Sequence, residues 1–156
     1  MSRLSRRDAF VASGAVAVAA AFASGQANAA EATAEEQANL KVAKSYFTEF
    51  ARPGADSAKV VTDHMAEDVV VRYTETTPAI TGRQKLADSL AGFTKDGRQY
   101  EIKILDSYAK GPVVVIHRED VTTHKGQKGK PTYVVAVMVV HDGRIKEWTD
   151  FILPKA

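Results

Sequence analysis

The sequence predicts an α+β domain, with helices first and a mostly antiparallel sheet after them. Two helix starts are signalled by capping boxes, Thr33 with Glu36 and Thr81 with Gln84, in which side chain and backbone satisfy each other's free groups. From residue 100 onward the chain reads as a succession of strand-like runs, 100–108, 113–123, 132–141 and 144–153. Between the last two such runs, "HDGR" marks a two-residue hairpin turn at Asp142-Gly143. The 156 residues suffice for one domain around one core, and without cysteine that core must hold the fold unaided.

Residues 1–29 read as an export signal and residues 30–156 as the domain. Arg3, Arg6 and Arg7 precede a weakly apolar stretch from Phe10 to Ala23, and Ala27-Asn28-Ala29 has the small-x-small form of a cleavage site. The apolar stretch is too short and too rich in alanine to span a bilayer stably, so no stable membrane anchor is expected after cleavage. "SRRDAF" resembles a twin-arginine leader with Phe10 one position late, which favours that route over the general secretory one. Either route leads to a periplasmic or secreted location. An uncleaved amphipathic or disordered tail is the alternative.

The first helix follows Thr33, with Leu40, Ala43, Phe47 and Phe50 on one apolar face and Tyr46 beside them, and "RPG" at 52–54 ends it. A short helix starting at Asp56 or Ser57 turns Val60, Val61, His64 and Met65 inward. "EDVVVRYTE" is a half-buried strand, with Val69, Val71 and Tyr73 on one side and Val70, Arg72 and Thr74 on the other. The helix after Thr81 directs Leu86, Leu90 and Phe93 to the core. Strands are expected over 100–108, 113–123, 132–141 and 144–153. "YVVAVMVV" is apolar on both faces, so it is expected to be central in the sheet and covered on both sides.

Charge narrows the function. Arg3, Arg6 and Arg7 against Asp8 account for the whole formal charge of +2, leaving a balanced domain. A nucleic-acid partner relying on broad phosphate attraction is therefore not expected. The one basic cluster, "HKGQKGK" at 124–130, lies between two strands with no helix after it, and reads as a solvated hairpin loop.

In "GPVVVIHREDVTTH" the alternation places Val114, Ile116, Arg118, Asp120 and Thr122 on one side, so two charged residues follow two core residues in line. With His141 opposite Arg144, Asp150 pairs with Val135 and Trp148 with Val137. Closing the preceding loop with Thr123 opposite Thr132 sets the same two valines beside Asp120 and Arg118. Asp120, Val135 and Asp150 then form one row across three strands, and Arg118, Val137 and Trp148 the next. One guanidinium between two carboxylates leaves one of them ionised and drives the other toward its protonated form. Such a pair suits a reaction that takes a proton at one atom and delivers one at another.

"HREDV", with "EWTDF" about thirty residues later, resembles the Arg-x-Asp and Trp-x-Asp strand motifs of the limonene-1,2-epoxide hydrolases, within the nuclear-transport-factor-2-like superfamily. The capped helices, "AEDVVVRY" and "TGRQKLADSLAGF" extend the resemblance over most of the chain after the leader. It implies a curved, mixed, mostly antiparallel sheet that the helices close into a cone-shaped pocket. It also implies Asp150 as the general base that activates water, Asp120 as the general acid that protonates an epoxide oxygen, and Arg118 as the link between them. The implied reaction is one-step hydrolysis to a vicinal diol, with no covalent intermediate, metal or organic cofactor. A homodimer through the outer face of the sheet is implied as well.

The chain departs from this pattern where the family holds its water with a Tyr and an Asn. "VVVRYTETTP" has no Asn; Tyr73 is the best substitute, with Thr74 or Glu75 after a bulge as further candidates. Trp148, His64, Val135, Val137 and Ile116 are expected to line the pocket around a small apolar substrate.

Plainer readings stand beside these. Arg118 with Asp120 also fits a structural ion pair, Asp150 a cap, and Tyr73 a packed core tyrosine. His117 lies on the sheet face opposite Arg118, His124 and His141 lie at loop ends, and no pair of histidines has metal-ligand spacing. With no cysteine and no serine elbow, acyl-enzyme chemistry has no candidate. The sequence therefore leaves three functions open: cofactor-independent epoxide hydrolysis; another acid-base reaction such as isomerisation, lyase cleavage, dehydration or cyclisation; or a non-catalytic small-molecule-binding module.

Overall fold

A computed structural model of the chain describes residues 31–94 and 97–154; the export-signal reading over residues 1–29 lies outside them. Helix α1 (Ala34–Phe50) starts at the expected capping box, where the Thr33 hydroxyl accepts from the Glu36 N–H and the Glu36 carboxylate accepts from the Thr33 N–H at 2.8 Å. Helix α2 (Ser57–His64) is capped by Asp56, whose Oδ1 accepts from the N–H groups of Ala58 and Lys59. Strands β1 (Met65–Arg72) and β2 (Ile80–Thr81) follow, then helix α3 (Arg83–Thr94). Thr81 does not cap that helix: it pairs with Val70 in the sheet, α3 begins at Arg83, and the Gln84 amide donates to Asp88 instead of closing a capping box.

The remaining strands are β3 (Gln99–Lys110), β4 (Val113–His124), β5 (Gln127–Lys128), β6 (Thr132–His141) and β7 (Arg144–Ile152). They form one mixed sheet in the order β2-β1-β7-β6-β4-β3, with β5 paired to β4. Only the β1–β7 pairing is parallel among the described strands. The helices pack on one face of the sheet. Ala43, Tyr46 and Phe47 of α1, Val60 and Val61 of α2, and Leu86 and Leu90 of α3 meet Val114, Ile116, Ala136, Met138 and Ile145. Burying each large side chain of this set contributes on the order of 1.5–3 kcal/mol to holding the helices on the sheet. Among the described residues no helix is long and apolar enough to cross a membrane.

Two register expectations fail, and the failures cancel where they matter. Asp142 and Gly143 form the expected turn with φ of +50° and +70°, and His141 does pair with Arg144. Beyond that turn a bulge intervenes: Ile145 pairs with Val140 and Glu147 with Val139, so Lys146 is an extra residue in β7. Asp150 consequently pairs with Ala136 and Trp148 with Met138. On the other side of β6, the basic loop does not simply close. Lys125 and Gly126, with φ of +51° and +76°, fold it into a tight turn that lays β5 back on the end of β4. Strand β6 therefore enters further along, with Asp120 opposite Thr132 and Arg118 opposite Val134.

Both displacements are odd, and an odd displacement turns a strand over. Val135 and Val137 are thus not pocket residues: they pair with His117 and Val115 on the outer face, while Val134, Ala136 and Met138 face inward and are buried. Because β6 is turned over relative to both neighbours, β4 and β7 keep their expected relation. Arg118, Asp120, Trp148 and Asp150 all belong to the inner face. The outer face of β6 is half-buried rather than covered, and Tyr133, Val113 and Phe151 around it are about 40% exposed.

Candidate active site

Arg118 joins the two carboxylates. Its Nε donates to both oxygens of Asp120 at 3.0 Å, and its Nη1 donates to Asp150 Oδ1 at 3.0 Å. Nη2 donates to Asp150 Oδ2, completing a two-pronged pair whose geometry holds both side chains in plane. The indole of Trp148 donates from Nε1 to Asp150 Oδ1. Trp148 and Asp150 face inward because of the bulge at Lys146: Ile145 and Trp148 are both buried although strict alternation would oppose them. The guanidinium also lies 4.3 Å above the Phe47 ring of α1, a cation-π contact that supports a charge only 3% exposed.

The two carboxyls differ in surroundings, Asp150 being the more deeply buried. Burial raises the Asp120 carboxyl above its ordinary value against the lowering pull of Arg118, and the charge of Asp150 adds to the rise. Burial also disfavours the Arg118 charge, but the hydrogen bonds and charges of Asp150 and Asp120 outweigh that and hold the arginine firmly protonated. A carboxylate offers about four acceptor positions. Arg118 and Trp148 fill both on Asp150 Oδ1, and Arg118 fills one on Oδ2, so Oδ2 keeps a position for the proton of a bound water or substrate. A carboxylate with free acceptor capacity thus stands across one arginine from a second carboxyl whose pKa is raised by burial.

The trio forms the polar end of a cavity of about 230 Å³. That is below the ~300–1,000 Å³ typical of pockets for larger ligands, so it suits a small molecule. The cavity includes Trp148 and Tyr73, as expected from the sequence, and Tyr73 donates its hydroxyl to Ser89 at 3.2 Å. Neither Thr74 nor Glu75 joins it: Thr74 is bonded within its own turn to Thr76 and Thr77, and Glu75 is exposed.

Two further pocket expectations are corrected. Ile116 faces inward but is fully buried between Ser107 and Ala136, beneath the cavity rather than in its wall. His64 is held behind the wall, with Nδ1 3.0 Å from the Val60 carbonyl, Nε2 3.6 Å from Glu49 and its ring edge against Tyr46. Val135 and Val137 are excluded by the turned strand.

The walls come instead from Tyr46, Phe47 and Phe50 of α1, Leu90 and Phe93 of α3, and Tyr100 and Ile102 of β3. One signal for them existed. Three aromatic residues within 46–50 are more than a helix needs to seat one stripe on a sheet, and such a cluster fits a cavity wall. Among the described residues no group of three or more His, Asp or Glu is arranged to hold a metal ion.

A family model described as a SnoaL-like domain matches residues 43–148, from the middle of α1 to Trp148, and includes Arg118 and Asp120, with Asp150 just beyond its end. No curated protein matches the sequence. Solved structures with the same fold include a LEH-like epoxide hydrolase from M. tuberculosis, 21% identical, with a TM-score of 0.67 over 76% of this chain and 85% of that one. A protein from Jannaschia sp. CCS1, provisionally named a SnoaL-like polyketide cyclase, is 17% identical with a TM-score of 0.64 over 77% and 88%. One from Kribbella flavida, provisionally named a ketosteroid isomerase, is 23% identical with a TM-score of 0.59 over 78% and 82%. At these identities the likeness concerns the fold, a curved sheet closed by helices that hosts different chemistries.

Proposed function

The chain belongs to the SnoaL-like domain family, and from that premise we propose that it is an enzyme that hydrolyses an epoxide on a small apolar molecule to a vicinal diol. One observation carries this reading: a single buried arginine bonded to two carboxylates of unlike environment at the end of an apolar cavity. Asp150 accepts a proton from a water molecule as the water oxygen attacks one epoxide carbon. The carbon–oxygen bond breaks with its electron pair on oxygen, and Asp120 delivers its proton to that oxygen. One water is consumed, both carbons end as alcohols, and the proton gained by Asp150 returns to Asp120 through solvent. Arg118 holds the two carboxyls in place and offsets their charge throughout.

A second reading is another acid-base reaction at the same trio, of the isomerase, lyase, dehydratase or cyclase kind. The lack of an Asn near Tyr73 favours it, because water is then held by fewer groups than in the family that the strand motifs resemble. Incubation with limonene oxide or styrene oxide in oxygen-18 water separates the two readings. The proposed hydrolysis gives a diol with one labelled oxygen, and Asp150→Asn and Asp120→Asn each lower kcat by about 100-fold or more while folding normally. Activity that survives both changes would remove these residues from the chemistry. Turnover confined to ketones or alcohols would favour the second reading.

We further propose that the protein acts after export, and as a homodimer joined through the outer face of its sheet. The half-buried valines of β6 and the exposed Tyr133 and Phe151 around them support the pairing.

A further inference from the structure

Tyr46 sits in the wall of the cavity, is 1% exposed, and has a hydroxyl that makes no hydrogen bond within the chain. Its ring is well accounted for. It packs edge-on against Trp148 at 5.4 Å and Phe47 at 5.2 Å and stacks on Phe50 at 6.0 Å. A phenylalanine would make each of those contacts. The hydroxyl adds only the cost of burying a polar group without a partner, which packing alone does not explain.

Two further facts bear on the role of that hydroxyl. It lies within electrostatic reach of Tyr73, Arg118 and Asp150, and burial raises its pKa well above the ordinary tyrosine value, so it remains a neutral donor at any working pH. Tyr73, the residue expected to position water, already donates its O–H in a hydrogen bond to Ser89. The Tyr46 O–H, by contrast, is buried at the cavity and uncommitted.

We infer that the Tyr46 hydroxyl binds the oxygen atom held at the polar end of the cavity beside Asp150. On the reading proposed above, that oxygen belongs to the attacking water, and Tyr46 supplies the hold that the absent Asn does not. The inference rests on that site but not on the reaction, since any oxygen-bearing ligand seated there would meet the same donor.

Trp148 is the single tryptophan of the chain and lines the cavity, so its fluorescence reports occupancy. Cyclohexanone and methylcyclohexane, alike in shape and different in one oxygen, are titrated into the wild type and Tyr46→Phe. The expected result is that the variant binds cyclohexanone about fivefold more weakly and methylcyclohexane about equally, the loss of one hydrogen bond. Its unfolding midpoint should be no lower than that of the wild type, whereas a structural hydroxyl would lower it.

If styrene oxide is a substrate, kcat of Tyr46→Phe falls by about tenfold with KM little changed, as for a contact made chiefly in the transition state. Equal ketone affinity in both proteins, or a wild type that does not bind the ketone, overturns the inference. A wild type that makes no labelled diol yet shows the ketone-selective loss would refute the hydrolysis reading and leave Tyr46 in its role.

Discussion

Arg118 is 3% exposed, with every one of its described polar contacts on a carboxylate and its flat face on Phe47. Replacing it with Met preserves much of the volume but leaves two carboxyls in an apolar wall without their cation. Breaking a buried pair in this way costs about 3–5 kcal/mol, because the groups left behind must stay desolvated or take up protons. Arg118→Met is therefore expected to lower unfolding stability by that amount in urea denaturation at neutral pH. The loss should shrink as the pH falls and the carboxyls protonate. A loss below about 1 kcal/mol, the size of an exposed pair, would mean that the Arg118 pairs behave as solvent-screened rather than buried ones.

Helix α1 supplies three of the residues that line the cavity and is anchored at its first turn by Glu36. That carboxylate accepts from the N–H of Thr33 at 2.8 Å and of Gly111 at 3.0 Å, tying the helix start to the β3–β4 turn, and Asn39 adds a bond to the Gly111 carbonyl. The backbone N–H groups of Gly111 and Thr33 lower its pKa from 4.5 to about 2. The folded protein therefore holds this carboxylate ionised where the unfolded chain has begun to protonate it. The resulting stability is fully present above pH 4.5 and disappears as the pH falls through about 2. Urea unfolding followed across that interval should show a steady decline for the wild type. Glu36→Gln should begin less stable at neutral pH and decline less steeply. Parallel curves would mean that another acid accounts for the pH dependence.

At the scale of the whole molecule, the sheet buries one face under helices and leaves the other half-open, with Val113, Tyr133 and Phe151 between 39% and 42% exposed. A strand as apolar on both sides as β6 would ordinarily be covered on both. In the proposed homodimer the partner's sheet covers it. Val137→Arg places a charge in the middle of that outer face without touching the cavity. Sedimentation should find a dimer for the wild type and a monomer for the variant, with the fold unchanged by circular dichroism. A monomeric wild type, or a variant that stays dimeric, would rule out this face.

The elements themselves were largely legible in the sequence, because caps, periodicities and turn residues act over a few positions. Thr33 with Glu36, Asp56, and Asp142-Gly143 all lie where local chemistry requires them. The trio of Arg118, Asp120 and Asp150 could also be read from alternation and two short strand motifs. What only the tertiary structure decided was register and enclosure. The hairpin hidden in the basic loop and the extra Lys146 each shift a pairing by an odd number of residues, which moved Val135 and Val137 out of the pocket and left the charged trio in it. The aromatic wall and the unpartnered hydroxyl of Tyr46 arise where α1 and α3 close over β3. Contacts between residues so far apart in the chain leave no periodic trace in it.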